Sequence, residues 1–290
     1  MRSGMVAVLV VGCAGLAGDA AAGEEKAAQK ASPFFAFCMD THDAKKRNLQ
    51  QQAEMLKELG YDGAGHLWLD NVADRLKTLD DAGLKLFQIY VRLNVAPAAK
   101  PPYDARLKDV LPLLKGRGTQ LAILAGGGKA SDVSGDERAV ALLREMADMA
   151  QPHGVCLVLY PHVGDWLEKF DDAIRVARKV ERPNVGAMFN LCHFLKTEDE
   201  KNIKPLLEKA GPLLMAVSIN GSDGGAEIRA GKGKWIVPLD EGSFDMLGLL
   251  KALRENNYTG AVGLQCYGIG GDAREHLARS LAAWRKLNGP

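Results

Sequence analysis

Eight short apolar runs, each followed by a stretch with helical periodicity, constrain the fold of this 290-residue chain more than any other feature. The runs are Phe34–Met39, Gly63–Leu67, Leu84–Tyr90, Gln120–Leu124, Val155–Tyr160, Val185–Phe189, Leu213–Ile219 and Ala261–Cys266. A short run that is apolar at nearly every position is what a parallel strand buried on both faces requires. Asp165–Val180 illustrates the helical segments. Trp166, Phe170, Ala173, Ile174 and Ala177 share one face, Glu168, Lys169, Asp172 and Arg175 lie off it, and Asp165 is the expected N-cap. The last helix is expected near Asp272–Leu287, with Leu277, Leu281 and Trp284 inward. Eight β-then-α units fill one closed barrel, so the expected fold class is α/β, a single-domain (βα)8 TIM barrel over residues 33–290. An open doubly wound sheet would carry a glycine-rich turn after its first strand, and here that turn is Asp40-Thr41-His42-Asp43. Leu56–Leu67 (LKELGYDGAGHL) also echoes Leu253–Leu264 (LRENNYTGAVGL), as repeated units would.

The segment before the barrel reads differently. Arg2, the apolar stretch Met5–Leu16 and Ala20-Ala21-Ala22 match a secretory signal peptide over residues 1–22, followed by a polar, Ala-rich linker over 23–32. The apolar stretch is too short to span a bilayer comfortably, so no transmembrane helix is expected in the mature chain. Val10-Val11-Gly12-Cys13 resembles a bacterial lipobox, which leaves a lipid anchor at Cys13 open beside a soluble exported form, periplasmic or extracellular. The net charge of +1 and the lack of a long basic run speak against a nucleic-acid partner. Cys38, Cys156, Cys192 and Cys266 form no CxxC pair and are expected as mostly buried thiols rather than a disulfide framework.

In such a barrel the site lies at the C-terminal ends of the strands. Four of the six histidines, His42, His66, His162 and His193, fall there, whereas His153 and His276 fall on helical portions. Imidazole is the side chain best suited to proton transfer near neutral pH. The strand ends also gather Tyr160, Asn190, Asn220 and Gln265, with Trp68, Tyr267 and Trp235 nearby, and Asp40 and Asp223 as rim carboxylates. Gly126-Gly127-Gly128-Lys129 lacks the spacing of a phosphate-binding loop and reads as a flexible loop. Gly221–Lys234 reads either as a lid, with Arg229, Lys232 or Lys234 reaching the site, or as disordered chain.

From Val237 to Tyr267 the chain runs VPLDEGSFDMLGLLKALRENNYTGAVGLQCY, followed by a final helix, and Leu59-Gly60-Tyr61-Asp62-Gly63 precedes the second strand. These segments resemble the xylose-isomerase-like TIM barrels, the sugar phosphate isomerase/epimerase superfamily, over nearly the whole mature chain. The resemblance implies one divalent metal held by strand-end residues. At those positions this sequence departs from the pattern. Glu-x-His after strand five is Tyr160-Pro161-His162, and Asp-x-x-His after strand six is Asn190-Leu191-Cys192-His193. His-x-x-Asp after strand seven is Ser218-Ile219-Asn220-Gly221, and the strand-eight Glu is Gln265. Divalent cations want anionic oxygen, thiolate or imidazole donors. The expectation is therefore no metal and no cofactor. The expected role is an isomerase or epimerase acting on a carbohydrate or keto-sugar. His162, His193 and Tyr160 are the catalytic candidates, and Asn190, Asn220, Gln265, His66, Trp68 and Lys234 the substrate-binding ones. A non-catalytic carbohydrate-binding pseudoenzyme stays open as the alternative. The abasic-site endonucleases that share the fold rank last, because the chain lacks a basic face.

Overall fold

A computed structural model describes residues 32–289. The expected signal peptide, the Cys13 anchor and all but the last residue of the linker lie outside the described residues. Each of the eight apolar runs is a strand: β1 (Phe34–Phe37), β2 (Gly63–Leu67), β3 (Lys85–Asn94), β4 (Gln120–Gly126), β5 (Cys156–Leu159), β6 (Val185–Asn190), β7 (Leu214–Ile219) and β8 (Val262–Gln265). They pair in chain order, all parallel, and β1 closes on β8. The chain is therefore a (βα)8 TIM barrel. No described helix is long and apolar enough to cross a membrane.

The strands separate two apolar layers because successive side chains point to opposite faces. Outward residues such as Ile89, Leu121, Leu157 and Val217 pack under the helices. Inward residues form a second core of Phe35, Phe37, Tyr90, Leu124, Val158, Tyr160 and Met188. Bulky rings on β1 and β3 need small residues on the adjoining strands. A Cβ on Gly65 would lie 2.7 Å from Phe37 Cβ, and one on Gly263 would lie 2.8 Å from Phe35 Cζ. The closure is pinned by the last helix (Ala273–Asn288). Its Trp284 stacks on Phe34 with centroids 4.4 Å apart, and Tyr61 donates its hydroxyl to Leu277 O at 2.9 Å. The helix lies where it was expected, and Asp272 caps it by accepting the Arg274 N–H.

Two local expectations change. The helix predicted from Asp165 begins at Phe170, because Asp172 accepts the Lys169 N–H at 3.0 Å and starts the helix there. Asp165 is freed from capping and turns to the barrel mouth. Gly221–Lys234 is ordered and contains a short helix, Gly225–Arg229. Gly221 pairs with Val237, Asp223 Oδ2 accepts the Lys234 N–H at 2.8 Å, and Arg229 donates to the carbonyl oxygens of Leu195 and Glu198. Among the described residues there is no disulfide, and Cys38, Cys192 and Cys266 are buried thiols.

Candidate functional site

A pocket of about 400 Å³ opens at the C-terminal mouth of the barrel. Phe37, Trp68, Tyr90, Trp235 and Tyr267 supply its aromatic walls, and Arg92, Tyr160, His162, His193 and Gln265 its polar groups. Trp68 and Tyr267 are among the few exposed large hydrophobics, as ligand-facing rings would be.

Tyr160 is the hub of the floor. Asn190 Nδ2 donates to its hydroxyl oxygen at 2.7 Å and Gln265 Nε2 at 3.2 Å. The Asn190 amide also donates to Ser218 Oγ at 2.7 Å, and its Oδ1 accepts from Cys192 Sγ and the His193 N–H. That last bond caps the helix Leu191–Thr197 and sets the orientation of His193. Gln265 Oε1 accepts the Tyr267 N–H at 3.0 Å. The strand ends that the resemblance marks as metal-binding are thus tied directly to one another through neutral groups. Burial pushes the Tyr160 hydroxyl pKa well above its ordinary value, and the Gln265 and Asn190 donors only partly offset this. Such a donor set does not suit a divalent cation. Among the described residues no group of three or more His, Cys, Asp or Glu side chains is placed to hold a metal ion.

His162 and His193 lie beside this network with ring centroids 4.1 Å apart. The backbone of Val163 fixes both rings. His162 Nδ1 donates to Val163 O at 3.0 Å, and the Val163 N–H donates to His193 Nδ1 at 3.3 Å. This assigns opposite tautomers. His162 carries its proton on Nδ1 and presents a lone pair on Nε2, whereas His193 presents Nε2–H. Neither Nε2 has a hydrogen-bond partner among the described residues. Burial pushes the His193 pKa well below the ordinary imidazole value, and His162 adds to the effect. Burial lowers His162 too, opposed by Asp165, whose Oδ2 lies 3.7 Å from His162 Nδ1. Asp165 also accepts from Arg92 Nη1 at 2.8 Å, and the guanidinium sits 5.4 Å from the Trp68 ring centroid.

The other sequence-predicted residues are placed differently. His66 lies at the end of β2, not on the pocket wall. Its Nε2 meets Asp70 O at 2.6 Å and its Nδ1 faces Arg75 Nε at 3.4 Å, and burial lowers its pKa. Asn220 is fully buried and donates to Gly221 O and Trp235 O, so it holds the loop that carries Trp235. Lys234 points to Glu241, at 3.1 Å, and does not reach the pocket. Asp223 organises its own loop, and His42 supports the rim, edge-on to Tyr267 at 5.1 Å. Sequence reasoning missed Arg92 and the placement of Asp165. The inward alternation Gln88, Tyr90, Arg92 could have found the first, since β3 continues past its apolar run.

The family model described as xylose isomerase-like TIM barrel matches residues 53–287. No curated protein matches the chain. Among solved structures, the chain is similar to a fusion of a xylose isomerase-like TIM barrel with 4-hydroxyphenylpyruvate dioxygenase, at 15% identity and a TM-score of 0.67, covering 87% of this chain and 42% of that one. It is similar to a D-psicose 3-epimerase in the presence of D-fructose, at 18% identity and 0.68, covering 89% and 100%. It is likewise similar to a 3-keto-D-glucoside 4-epimerase from E. coli, at 17% identity and 0.68, covering 88% and 99%. At these identities the structural likeness concerns the fold. The match of the family model over most of the chain, joined to the closed barrel with its pocket at the strand ends, places this protein in the xylose isomerase-like TIM barrel family.

Proposed function

We propose that the protein is an isomerase or epimerase acting on a carbohydrate or keto-sugar, and that the His162–His193 pair performs the proton transfer without a divalent metal. The observation that carries this reading is the pair of opposite tautomers fixed by one peptide unit, Val163. His162 Nε2 is the base that removes the proton next to a substrate carbonyl. His193 Nε2–H donates to the carbonyl oxygen as negative charge develops there, and its depressed pKa keeps it a neutral donor near pH 7. In an isomerisation the protonated His162 returns the proton to the neighbouring carbon while His193 relays the hydroxyl proton from one oxygen to the other; in an epimerisation water reprotonates the same carbon on its opposite face, and His162 releases its proton to solvent. Asp165 stabilises the imidazolium that forms in between. Tyr160 and Gln265 offer hydrogen bonds to hydroxyls, and Trp68, Trp235 and Tyr267 offer faces to the C–H side of a sugar.

The neutral network through Tyr160 supports metal independence, since its donors are already engaged with each other. The substrate class is supported by the epimerases named above, which act on sugars. Export, by a signal peptide over residues 1–22 or a lipid anchor at Cys13, belongs to the same proposal. N-terminal sequencing and lipid labelling of the mature protein test it.

Function is tested by a screen of purified protein on ketoses, aldoses and keto-glycosides, with and without chelator. Turnover that survives the chelator is expected. Turnover abolished by chelator contradicts the metal-free mechanism, and tight sugar binding without any turnover would favour the binding protein instead.

A further inference from the structure

A second cleft of about 460 Å³ adjoins the mouth of the barrel, and the chemistry above does not use it. Asn94, Pro101, Pro102, Tyr103, Gly127 and Asp165 line it. Arg92 lines both cavities. The border between them is therefore the Arg92–Asp165 ion pair, whose carboxylate lies 3.7 Å from His162 Nδ1.

The cleft is a built surface. Gly127 has φ +86°, and a Cβ there would fall 1.8 Å from Asn94 Oδ1, so only glycine lets Asn94 pack at this spot. A Cβ on Gly128 would fall 2.9 Å from Trp166 Cδ1. The glycine run expected to be a flexible loop is thus packed against its neighbours. Asn94 Oδ1 accepts the Ala96 N–H at 3.0 Å and its backbone N–H donates to Pro102 O at 2.7 Å, whereas its side-chain Nδ2 has no partner among the described residues. Arg92 spends one N–H on Asp165, and its remaining N–H groups likewise have no hydrogen-bond partner among the described residues. Pro101, Pro102 and Tyr103 add apolar faces. Polar donors beside apolar faces suit a ring with hydroxyls at its edge and C–H groups on its face.

We propose that the substrate is a glycoside whose reacting sugar keeps a carbonyl, rather than a free monosaccharide. The reacting sugar sits in the pocket beside His162, and a second sugar linked to it sits in the cleft beyond Arg92. Arg92 and Asp165 hydrogen-bond hydroxyls on either side of the glycosidic linkage. Each volume falls in the range of ligand pockets, about 300–1,000 Å³, so each holds one sugar-sized group. This inference rests on the carbohydrate reading above.

Calorimetry of the purified protein with glucose, maltose, cellobiose and trehalose tests it. At least one disaccharide is expected to bind about tenfold tighter than glucose, as a second occupied cavity would give. Tyr103→Ala is expected to remove that gain and leave glucose affinity within about twofold, because truncating an aromatic wall acts locally. Tyr103→Phe, which keeps the ring and loses only its hydroxyl bond to Glu145, is expected to retain the gain. Equal affinity for glucose and every disaccharide overturns the inference and leaves the carbohydrate reading standing, and that comparison needs no variant. A gain that survives in a folded Tyr103→Ala protein also overturns it. Binding of no sugar overturns both.

Discussion

The floor of the barrel mouth and its rim handle polar groups in opposite ways. On the floor, Tyr160, Asn190, Ser218 and Gln265 bond to one another and to backbone N–H groups. On the rim, His162 and His193 spend one ring nitrogen each on Val163 and leave the other without a protein partner. A buried polar group that is already paired contributes mainly to structure, because leaving its partner unsatisfied costs about 1–3 kcal/mol. An oriented group left unpaired beside a pocket is poised for a ligand. The comparison divides the ring of strand-end residues into a scaffold and a reactive pair.

Substitutions that separate the two regions give the largest expected effects on the rim. His162→Gln should lower kcat by about 10²- to 10⁴-fold, the usual contribution of a general base, with little change in thermal midpoint. Steady-state kinetics beside a melting curve checks both. His193→Phe should lower kcat by about 10²- to 10³-fold, through loss of the donor to the developing oxyanion. Equal activity of either variant and the wild type would erase the distinction between rim and floor. Tyr160→Phe should act on stability first. It strands the Asn190 and Gln265 amide donors, and denaturant unfolding should show a loss of about 1–3 kcal/mol.

The smallest effect is in the pH profile. The His162 pKa lies below its ordinary value, so the base form prevails at pH 7 and the acid limb of kcat/KM falls below about pH 6.5. Asp165 opposes that depression. Asp165→Asn removes the negative charge that favours the imidazolium, so the limb should move to still lower pH. The plateau should fall only a few-fold, because a weaker base transfers the proton less readily. A limb that moves to higher pH would contradict the assigned role of Asp165.

The fold was legible because strands buried on both faces leave an apolar run that composition alone marks, and all eight runs are strands. The strand ends were less legible for the same reason. Arg92 and Asn94 look like the end of a run, yet β3 continues through them because the pocket, not the core, takes their inward side. Asp165 looked like a cap because it precedes an apolar helical face. The capping carboxylate is Asp172, which reaches back to Lys169. Lys234 could be placed near the site from its loop, but its ion pair with Glu241 depends on a contact that spacing does not encode. His162 and His193 were visible as strand-end histidines. Their opposite tautomers were not, because these depend on the geometry of one peptide unit that faces both rings.

The central claim is that the histidine pair moves a substrate proton without a divalent metal. It is tested most directly by NMR detection of solvent deuterium entering the carbon next to the carbonyl of a substrate identified in the turnover screen. Chelator-treated wild type and His162→Gln are compared in D2O. The account predicts incorporation in the chelator-treated wild type and its loss in the variant. Incorporation that disappears with chelator and returns on adding a divalent cation, or that persists undiminished in His162→Gln, would contradict it.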